Sequence, residues 1–128
     1  MLRIAVYGSL KRGGLLNGHM VNMGAQFHSE IRLDGFRMYA LKSGAFPAVV
    51  RDPAGTITAE IWDLPDTTAL LWLDRIEGCP HLYRREAIEP RFFIYVWAGP
   101  IEIDRFGAEV PDGNWDAETR AREFIAGR

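Results

Sequence analysis

Most hydrophobic residues of this chain lie in short runs or alternate with polar residues, and both patterns are typical of β-strands. The strands predicted in this way cover residues 4–6, 25–31, 36–41, 56–64, 82–88 and 92–97. Glycine, aspartate and proline predict turns between them, at Asp34-Gly35, Ser43-Gly44, residues 52–55 and residues 89–91. The alternation within residues 56–64 places Ile57 and Ile61 on one face of the strand and Trp62 on the other.

A helical spacing replaces this pattern after Pro65, with Asp66 as a good N-cap. The apolar residues that recur on one helical face are Ala69, Leu70, Leu73 and Ile76. Glycine and proline in residues 77–80 (Glu-Gly-Cys-Pro) end this helix. A terminal helix is expected over residues 117–125, whereas residues 15–20 fit either one helical turn or a loop.

Consecutive short strands with a central and a terminal helix favour a closed or nearly closed barrel with helices on its outside. The 128 residues fit a single domain, 1–128, with enough hydrophobic residues, 48%, for a real core. A net charge of −2 does not favour nucleic acid or an anionic membrane surface as a partner. The apolar run at residues 4–6 is too short for a signal peptide or a membrane span.

Cys79 is the single cysteine, so no internal disulfide can form and a reducing cytoplasm is the expected compartment. The three histidines have no cysteine or carboxylate near them at the spacing of metal ligands, so no metal site is expected.

The loop after the first strand is the first candidate for function. Gly8 lets the chain turn sharply and lets a ligand approach backbone amides, and Ser9 adds a hydroxyl. Such a loop suits an anionic or carbonyl group, although an ordinary turn after a strand explains the same residues. Gly8 and Gly13 have the spacing of a nucleotide-binding phosphate loop. Gly14 and Leu15, however, stand where that loop needs Lys and then Ser or Thr.

Glu77 is the second candidate, because it ends the amphipathic helix, where the helix dipole disfavours a carboxylate. If its side chain turns toward an aromatic pocket, burial would raise its pKa into the range of a general base. A solvated glutamate at a helix end is the alternative interpretation.

Two separated stretches carry a family resemblance. Residues 6–13 read Val-Tyr-Gly-Ser-Leu-Lys-Arg-Gly, and residues 73–85 read Leu-Asp-Arg-Ile-Glu-Gly-Cys-Pro-His-Leu-Tyr-Arg-Arg. Together they resemble the gamma-glutamylcyclotransferase-like family, and within it the gamma-glutamylamine cyclotransferase branch. That family has a Tyr-Gly-Ser/Thr-Leu loop after its first strand, then a Leu-Asp-x-hydrophobic-Glu helix end followed by Tyr-x-Arg. Residues 46–49 and 110–115 are also similar to family segments, with Asp112 and Asn114 as departures.

The resemblance implies an α+β fold, a small mixed β-barrel with flanking helices and a cavity at one mouth. It implies that the substrate-binding residues are Tyr7, Gly8, Ser9, Leu10 and Tyr83. It also implies that Glu77 is the general acid/base in a reaction that needs no metal or cofactor. The substrate would be a small-molecule gamma-glutamyl amide, whose α-amine attacks its own γ-carbonyl to give 5-oxoproline and a free amine or amino acid.

Two other functions stay open at this point. The first is a non-catalytic module that binds an acidic metabolite, although a carboxylate at residue 77 does not help such binding. The second is the removal of a gamma-glutamyl protecting group from a larger intermediate of one pathway. The rim of the pocket, from loops such as residues 15–20 and 99–115, is expected to decide which leaving group fits.

Overall fold

A computed structural model describes residues 2–40, 46–88 and 91–126. Its strands are β1 (Leu2–Val6), β2 (Gln26–Ala40), β3 (Pro47–Leu64), β4 (Tyr83–Ile88), β5 (Phe92–Trp97) and β6 (Ala108–Glu109). Its helices are α1 (Asn17–Asn22), α2 (Thr67–Ile76), α3 (Ile103–Phe106) and α4 (Ala117–Ala126). The turn expected at Ser43-Gly44 lies outside the described residues, as do two of the three residues of the turn expected at 89–91.

The strands form one mixed sheet in the order β4-β5-β1-β3-β2-β6. β1 pairs antiparallel with β3 and parallel with β5, which places the first strand in the middle of the sheet. The sheet curls into a half-barrel, which confirms the predicted α+β class and mixed barrel architecture. It is not closed, because β4 and β6 stand at the two ends of the strand order.

Two of the predicted turns are wrong. The chain does not reverse at Asp34-Gly35, because β2 runs on through these residues. It pairs Asp34 with Thr56 and Phe36 with Arg51, so residues 52–55 bulge out of β3 opposite Gly35 alone. Gly35 has a φ of +94°, a conformation that serves a bulge as well as a turn. Glycine and aspartate therefore mark a bulge in two long strands here, not hairpins between short ones.

Alternation along the strands fills one core on each face of the sheet. Ile57 and Ile61 of β3 belong to a core that Trp115 covers. Trp62 belongs to the other core, where it packs with Leu70 and Leu73 of α2. The predicted division of this strand into two faces is confirmed, and the position of α2 against the second face follows from its apolar stripe.

The helix boundaries agree well with the capping signals. Oδ1 of Asp66 accepts the N–H of Ala69 at 2.9 Å, as expected of an N-cap. Glu77 is the C-cap, and Gly78 follows with a φ of +65°. The open alternative at residues 15–20 is settled by α1, and the terminal helix is present. Among the described residues, no helix is long and apolar enough to cross a membrane.

Candidate active site

A cavity of about 210 Å³ opens where β1 ends and where α2 ends. All six residues that the sequence singles out lie on its walls: Tyr7, Gly8, Ser9, Leu10, Glu77 and Tyr83. The fold brings the two motifs together because α2 packs on the face of the sheet that carries Ile4 and Val6 of β1. The cavity is also lined by residues that sequence reasoning did not assign to it, namely Ala5, Val6, Leu16, Phe46, Pro47, Ile76, Leu82 and Tyr95.

Backbone hydrogen bonds fix the loop after β1. The carbonyl of Gly8 accepts the N–H of Lys11 at 3.0 Å, and the carbonyl of Ser9 accepts the N–H of Leu16 at 3.0 Å. In a trans peptide the N–H points opposite to the C=O. The amides of Ser9 and Leu10 therefore point away from these two donors. Neither amide has a hydrogen-bond acceptor among the described residues, which suits the binding of an anion or an oxyanion.

Gly8 is needed at its position because another strand passes close to it. A Cβ atom on this residue would lie 2.8 Å from Cγ of Pro47 at the start of β3. Any larger residue would push the loop and β3 apart. The glycine thus lets the loop and β3, which form neighbouring walls of the cavity, pack against each other.

Glu77 supplies the carboxyl group of the cavity. The end of α2 turns its side chain toward the aromatic walls, and burial raises its pKa to about 7. The residue keeps some exposure because the cavity is open to solvent, but apolar walls replace most of the surrounding water. No hydrogen bond to this carboxyl comes from the described part of the chain. Its protonation state therefore changes near neutral pH.

Three tyrosines share the cavity with Glu77, and each hydroxyl already donates a hydrogen bond. Tyr7 donates to the carbonyl of Tyr95 at 2.8 Å, and Tyr83 donates to the carbonyl of Pro47 at 2.8 Å. Tyr95 donates to Oδ1 of Asp74 at 2.6 Å. Burial raises the pKa of all three hydroxyls, so they remain neutral at physiological pH.

An ion pair fixes the end of α2 to the sheet beside the cavity. Asp74 accepts the hydroxyl of Tyr95 with one oxygen, and its other oxygen lies 3.1 Å from Nη1 of Arg85 on β4. Both charged residues belong to the second motif of the sequence, three residues before Glu77 and two after Tyr83. The second motif therefore supplies both charges of an ion pair beside Glu77, and the hydrogen bond from Tyr95 to Asp74 ties this end of α2 to β5.

Among the described residues, no group of three or more His, Cys, Asp or Glu side chains could hold a metal ion. Cys79 is partly buried and packs against the core that contains α2. Of the two rim segments that the sequence suggested, residues 15–20 contribute Leu16 to the cavity. Residues 99–115 are not among its lining residues, so this part of the prediction is wrong.

Tyr95 is the main residue that sequence reasoning missed. The alternation in β5 places it on one face with Phe93 and Trp97, but the sequence does not show which strand lies beside β5. The parallel pairing of β5 with β1 brings Tyr95 to the cavity, and this contact joins residues far apart in the chain.

The fold and the cavity together define an α+β half-barrel in which a glutamate carboxyl and the loop after β1 line one cavity. A family model described as gamma-glutamyl cyclotransferase, AIG2-like, matches residues 4–117, and the chain belongs to this family. No curated protein sequence matches the chain significantly.

Solved structures resemble the chain along most of its length. An AIG2-like protein from Mus musculus is 26% identical, with a TM-score of 0.77 over 91% of this chain and 88% of that one. The protein ytfP from Escherichia coli is 28% identical, with a TM-score of 0.67 over 92% of this chain and 99% of that one. A protein from Pyrococcus horikoshii, 24% identical, has a TM-score of 0.72 over 100% of both chains and shares the fold.

Proposed function

We propose that this chain is a gamma-glutamylamine cyclotransferase. It would convert a gamma-glutamyl amide into 5-oxoproline and release the amine, with Glu77 as the general acid/base. Family membership supports cyclotransferase chemistry in general. The substrate class and the roles of the residues are inferred from the geometry of the cavity.

The substrate carries its own nucleophile, so the protein needs to supply binding, orientation and proton transfer. The α-amine, once deprotonated, attacks the γ-carbonyl and forms the C–N bond of a five-membered ring. The C–N bond to the leaving amine then breaks. Glu77 takes one proton from the α-ammonium and delivers it to the departing nitrogen. The second proton, which the ring nitrogen loses when it becomes an amide, passes to the released amine, so protons balance over the cycle.

The loop after β1 suits the negatively charged oxygens of this reaction, one of which is brought by the substrate and one of which forms during the reaction. The amides of Ser9 and Leu10 are oriented for a negatively charged oxygen, either the α-carboxylate of the substrate or the oxyanion of the tetrahedral intermediate. Tyr7 and Tyr83 form the neighbouring wall, where their hydroxyls are engaged with backbone carbonyls. In this proposal the two tyrosines bind the substrate through their rings.

One observation carries the proposal: Glu77 is the one acidic residue among the described residues that line the cavity, and it lies beside three buried tyrosines, where burial raises its pKa to about 7. A group with this pKa is divided between its two protonation states near neutral pH, as a residue that both accepts and donates a proton requires. A module that only binds an acidic metabolite would gain nothing from this carboxylate.

A panel of gamma-glutamyl amides with different leaving amines tests the proposal by the release of 5-oxoproline. Two matched control substrates distinguish cyclisation from hydrolysis. An N-acetylated gamma-glutamyl amide has no free α-amine, and a β-aspartyl amide could only close a strained four-membered ring. Formation of 5-oxoproline from the gamma-glutamyl amides, with neither control consumed, is the expected result. Formation of glutamate, or binding without turnover across the panel, would contradict it.

The same panel addresses the leaving group. Turnover of simple gamma-glutamyl amines supports a general enzyme of this class. Turnover confined to one large amide would indicate the removal of a gamma-glutamyl protecting group in one pathway.

A further inference from the structure

Glu60 of β3 is a buried carboxylate that does not line the cavity. The residue is 3% exposed and lies next to Val6 in the pairing of β1 with β3. Its oxygen Oε1 accepts the backbone N–H of Arg12 at 2.9 Å and the indole N–H of Trp62 at 3.1 Å. Its other oxygen, Oε2, accepts Nε of Arg12 at 3.1 Å. Two of these three bonds therefore go to one residue, Arg12, at the far end of the loop after β1.

Aromatic contacts complete the arrangement around Arg12. Its guanidinium lies 3.6 Å from the centre of the Phe27 ring. Phe27 packs edge-to-face on Trp62, with ring centres 5.8 Å apart. Since Trp62 also donates to Glu60, the four side chains form a closed cluster that ties Arg12 to β2 and β3. We call Arg12, Phe27, Glu60 and Trp62 the loop anchor.

The loop anchor is connected to the amides of the cavity by the backbone itself. Arg12 directly follows Lys11, whose N–H donates to the carbonyl of Gly8. That bond is one of the two that orient the peptide groups of Ser9 and Leu10. If Arg12 moves, Lys11 moves with it, and the hydrogen bond from Lys11 to the carbonyl of Gly8 no longer fixes the orientation of the peptide groups that carry these amides.

A buried carboxylate is a costly way to stabilise a fold, since a well-packed apolar residue of the same size often does as well. A carboxylate adds two acceptor oxygens with defined directions, so it can accept a backbone N–H and a guanidinium N–H at the same time. Both carboxylate oxygens of Glu60 accept a hydrogen bond from Arg12. This use fits the fixing of a loop geometry better than it fits general packing.

We propose that Glu60 is a positioning residue for the reaction, acting through Arg12 to hold the amides of Ser9 and Leu10 in place. The inference rests on the proposed function, in which these amides bind a negatively charged oxygen of the substrate or of the reaction intermediate. Glu60 touches no substrate in this account. Its effect on catalysis comes from geometry, because a displacement of about 1 Å in a binding group can lower a rate roughly a hundredfold.

An electrostatic role for Glu60 would have the opposite sign. A negative charge behind an anion site weakens binding of the substrate carboxylate, so removing the charge would improve binding. Two conservative variants separate charge from position. Glu60→Asp keeps the charge and shortens the reach. Glu60→Gln keeps the length but replaces one acceptor oxygen by an NH₂ group, so in either orientation of the amide one bond to Arg12 is lost.

Asp63→Asn is the matched control. Asp63 lies on the same strand, and its Oδ1 accepts Nε of Arg3 at 2.7 Å in an ion pair that joins β3 to β1. It does not contact the loop after β1, so its loss should weaken a surface ion pair and leave turnover close to native. The kinetic constants of all four proteins are measured well below their thermal midpoints, with 5-oxoproline release as the assay.

Both Glu60 variants should lower kcat/KM by about 10–10²-fold, the order expected for misplaced donors at an oxyanion, while Asp63→Asn stays near native. A native kcat/KM in Glu60→Asp would show that the length of the Glu60 side chain is not required. Tighter substrate binding with native kcat in Glu60→Gln would assign Glu60 an electrostatic role. A fall in thermal midpoint alone, with native constants in both variants, would make the residue merely structural. Each of these three results overturns the proposal.

Hydrogen exchange of backbone amides gives a readout that does not depend on turnover. The N–H of Arg12 should exchange about tenfold faster or more in Glu60→Asp than in the native protein, while Asp63→Asn leaves it unchanged. The ¹⁵N shifts of Ser9 and Leu10 should move in the same variant. If the native protein released no 5-oxoproline, the proposed function would fail. Unchanged exchange and unchanged shifts would instead refute the role of Glu60 in holding the loop.

Discussion

Replacing Glu77 by Gln should make the protein more stable at high pH, because the native carboxylate must ionise in a poorly hydrated cavity. Its pKa is about 7 in the folded protein against 4.5 for an ordinary glutamate. Below pH 4.5 the group is neutral in the folded and the unfolded state, so its burial costs nothing extra. Between pH 4.5 and about 7 the unfolded state ionises while the folded state keeps its proton, so the native fold loses stability as the pH rises, and the loss is complete above about pH 7.

The size of this effect follows from the pKa difference. The difference between a pKa of 4.5 and one of about 7 corresponds to roughly 3 kcal/mol, an upper value since the cavity is open to water. Gln does not titrate, so the unfolding free energy of Glu77→Gln minus that of the native protein should rise by up to this amount between pH 4.5 and 8. For a domain of this length, the thermal midpoints should separate by roughly 10 °C over the same range.

Urea unfolding at a series of pH values measures this difference directly. Glu123→Gln on α4 is the control, because Glu123 is exposed and its replacement should give a curve parallel to the native one. Stability curves of Glu77→Gln and the native protein that also run parallel from pH 4.5 to 8 would refute the account. They would mean that Glu77 is a solvated residue at a helix end.

Three further predictions concern the same cavity. Native turnover should rise with pH through about 7, as the base form of Glu77 appears, and a profile flat from pH 5 to 8 would contradict its role. Gly8→Ala should lower kcat/KM about tenfold or more, because its Cβ would lie 2.8 Å from Cγ of Pro47; native kinetics would show that the loop and β3 can separate freely. Tyr83→Phe should cost about 1–2 kcal/mol in urea unfolding, because the buried carbonyl of Pro47 loses its donor, and no measurable change would mean that water replaces the hydroxyl.

The sequence predicted the strands better than their connections. Alternation identified the two faces of β3, since Ile57 and Trp62 are both buried but in different cores, one on each face of the sheet. It could not separate a turn from a bulge at Asp34-Gly35, because both need the same backbone conformation from glycine. Only the pairing with β3, where residues 52–55 bulge opposite Gly35, decides between them.

The sequence indicated residues that lie together in the cavity, but not the environment that surrounds them. The two motifs identified Glu77 and the loop after β1, and the structure places them in one cavity. The pKa of Glu77 depends on apolar walls from distant elements, and Tyr95 reaches the cavity through a parallel pairing that no local pattern reveals. Glu60 reads as an alternating polar residue of a strand, and its bonds to Arg12 appear only in three dimensions.

Turnover of Glu77→Gln is the most direct test of the central claim, that this carboxyl transfers the proton during cyclisation. The substitution keeps the size of the side chain and removes the proton transfer, so kcat should fall by about 10²–10⁴-fold. The measurement is the rate of 5-oxoproline release at pH 8 from a gamma-glutamyl amide that the native protein turns over, with Glu123→Gln assayed beside it. The account predicts this loss in a variant that is folded and at least as stable as the native protein. Near-native release of 5-oxoproline by Glu77→Gln would contradict it.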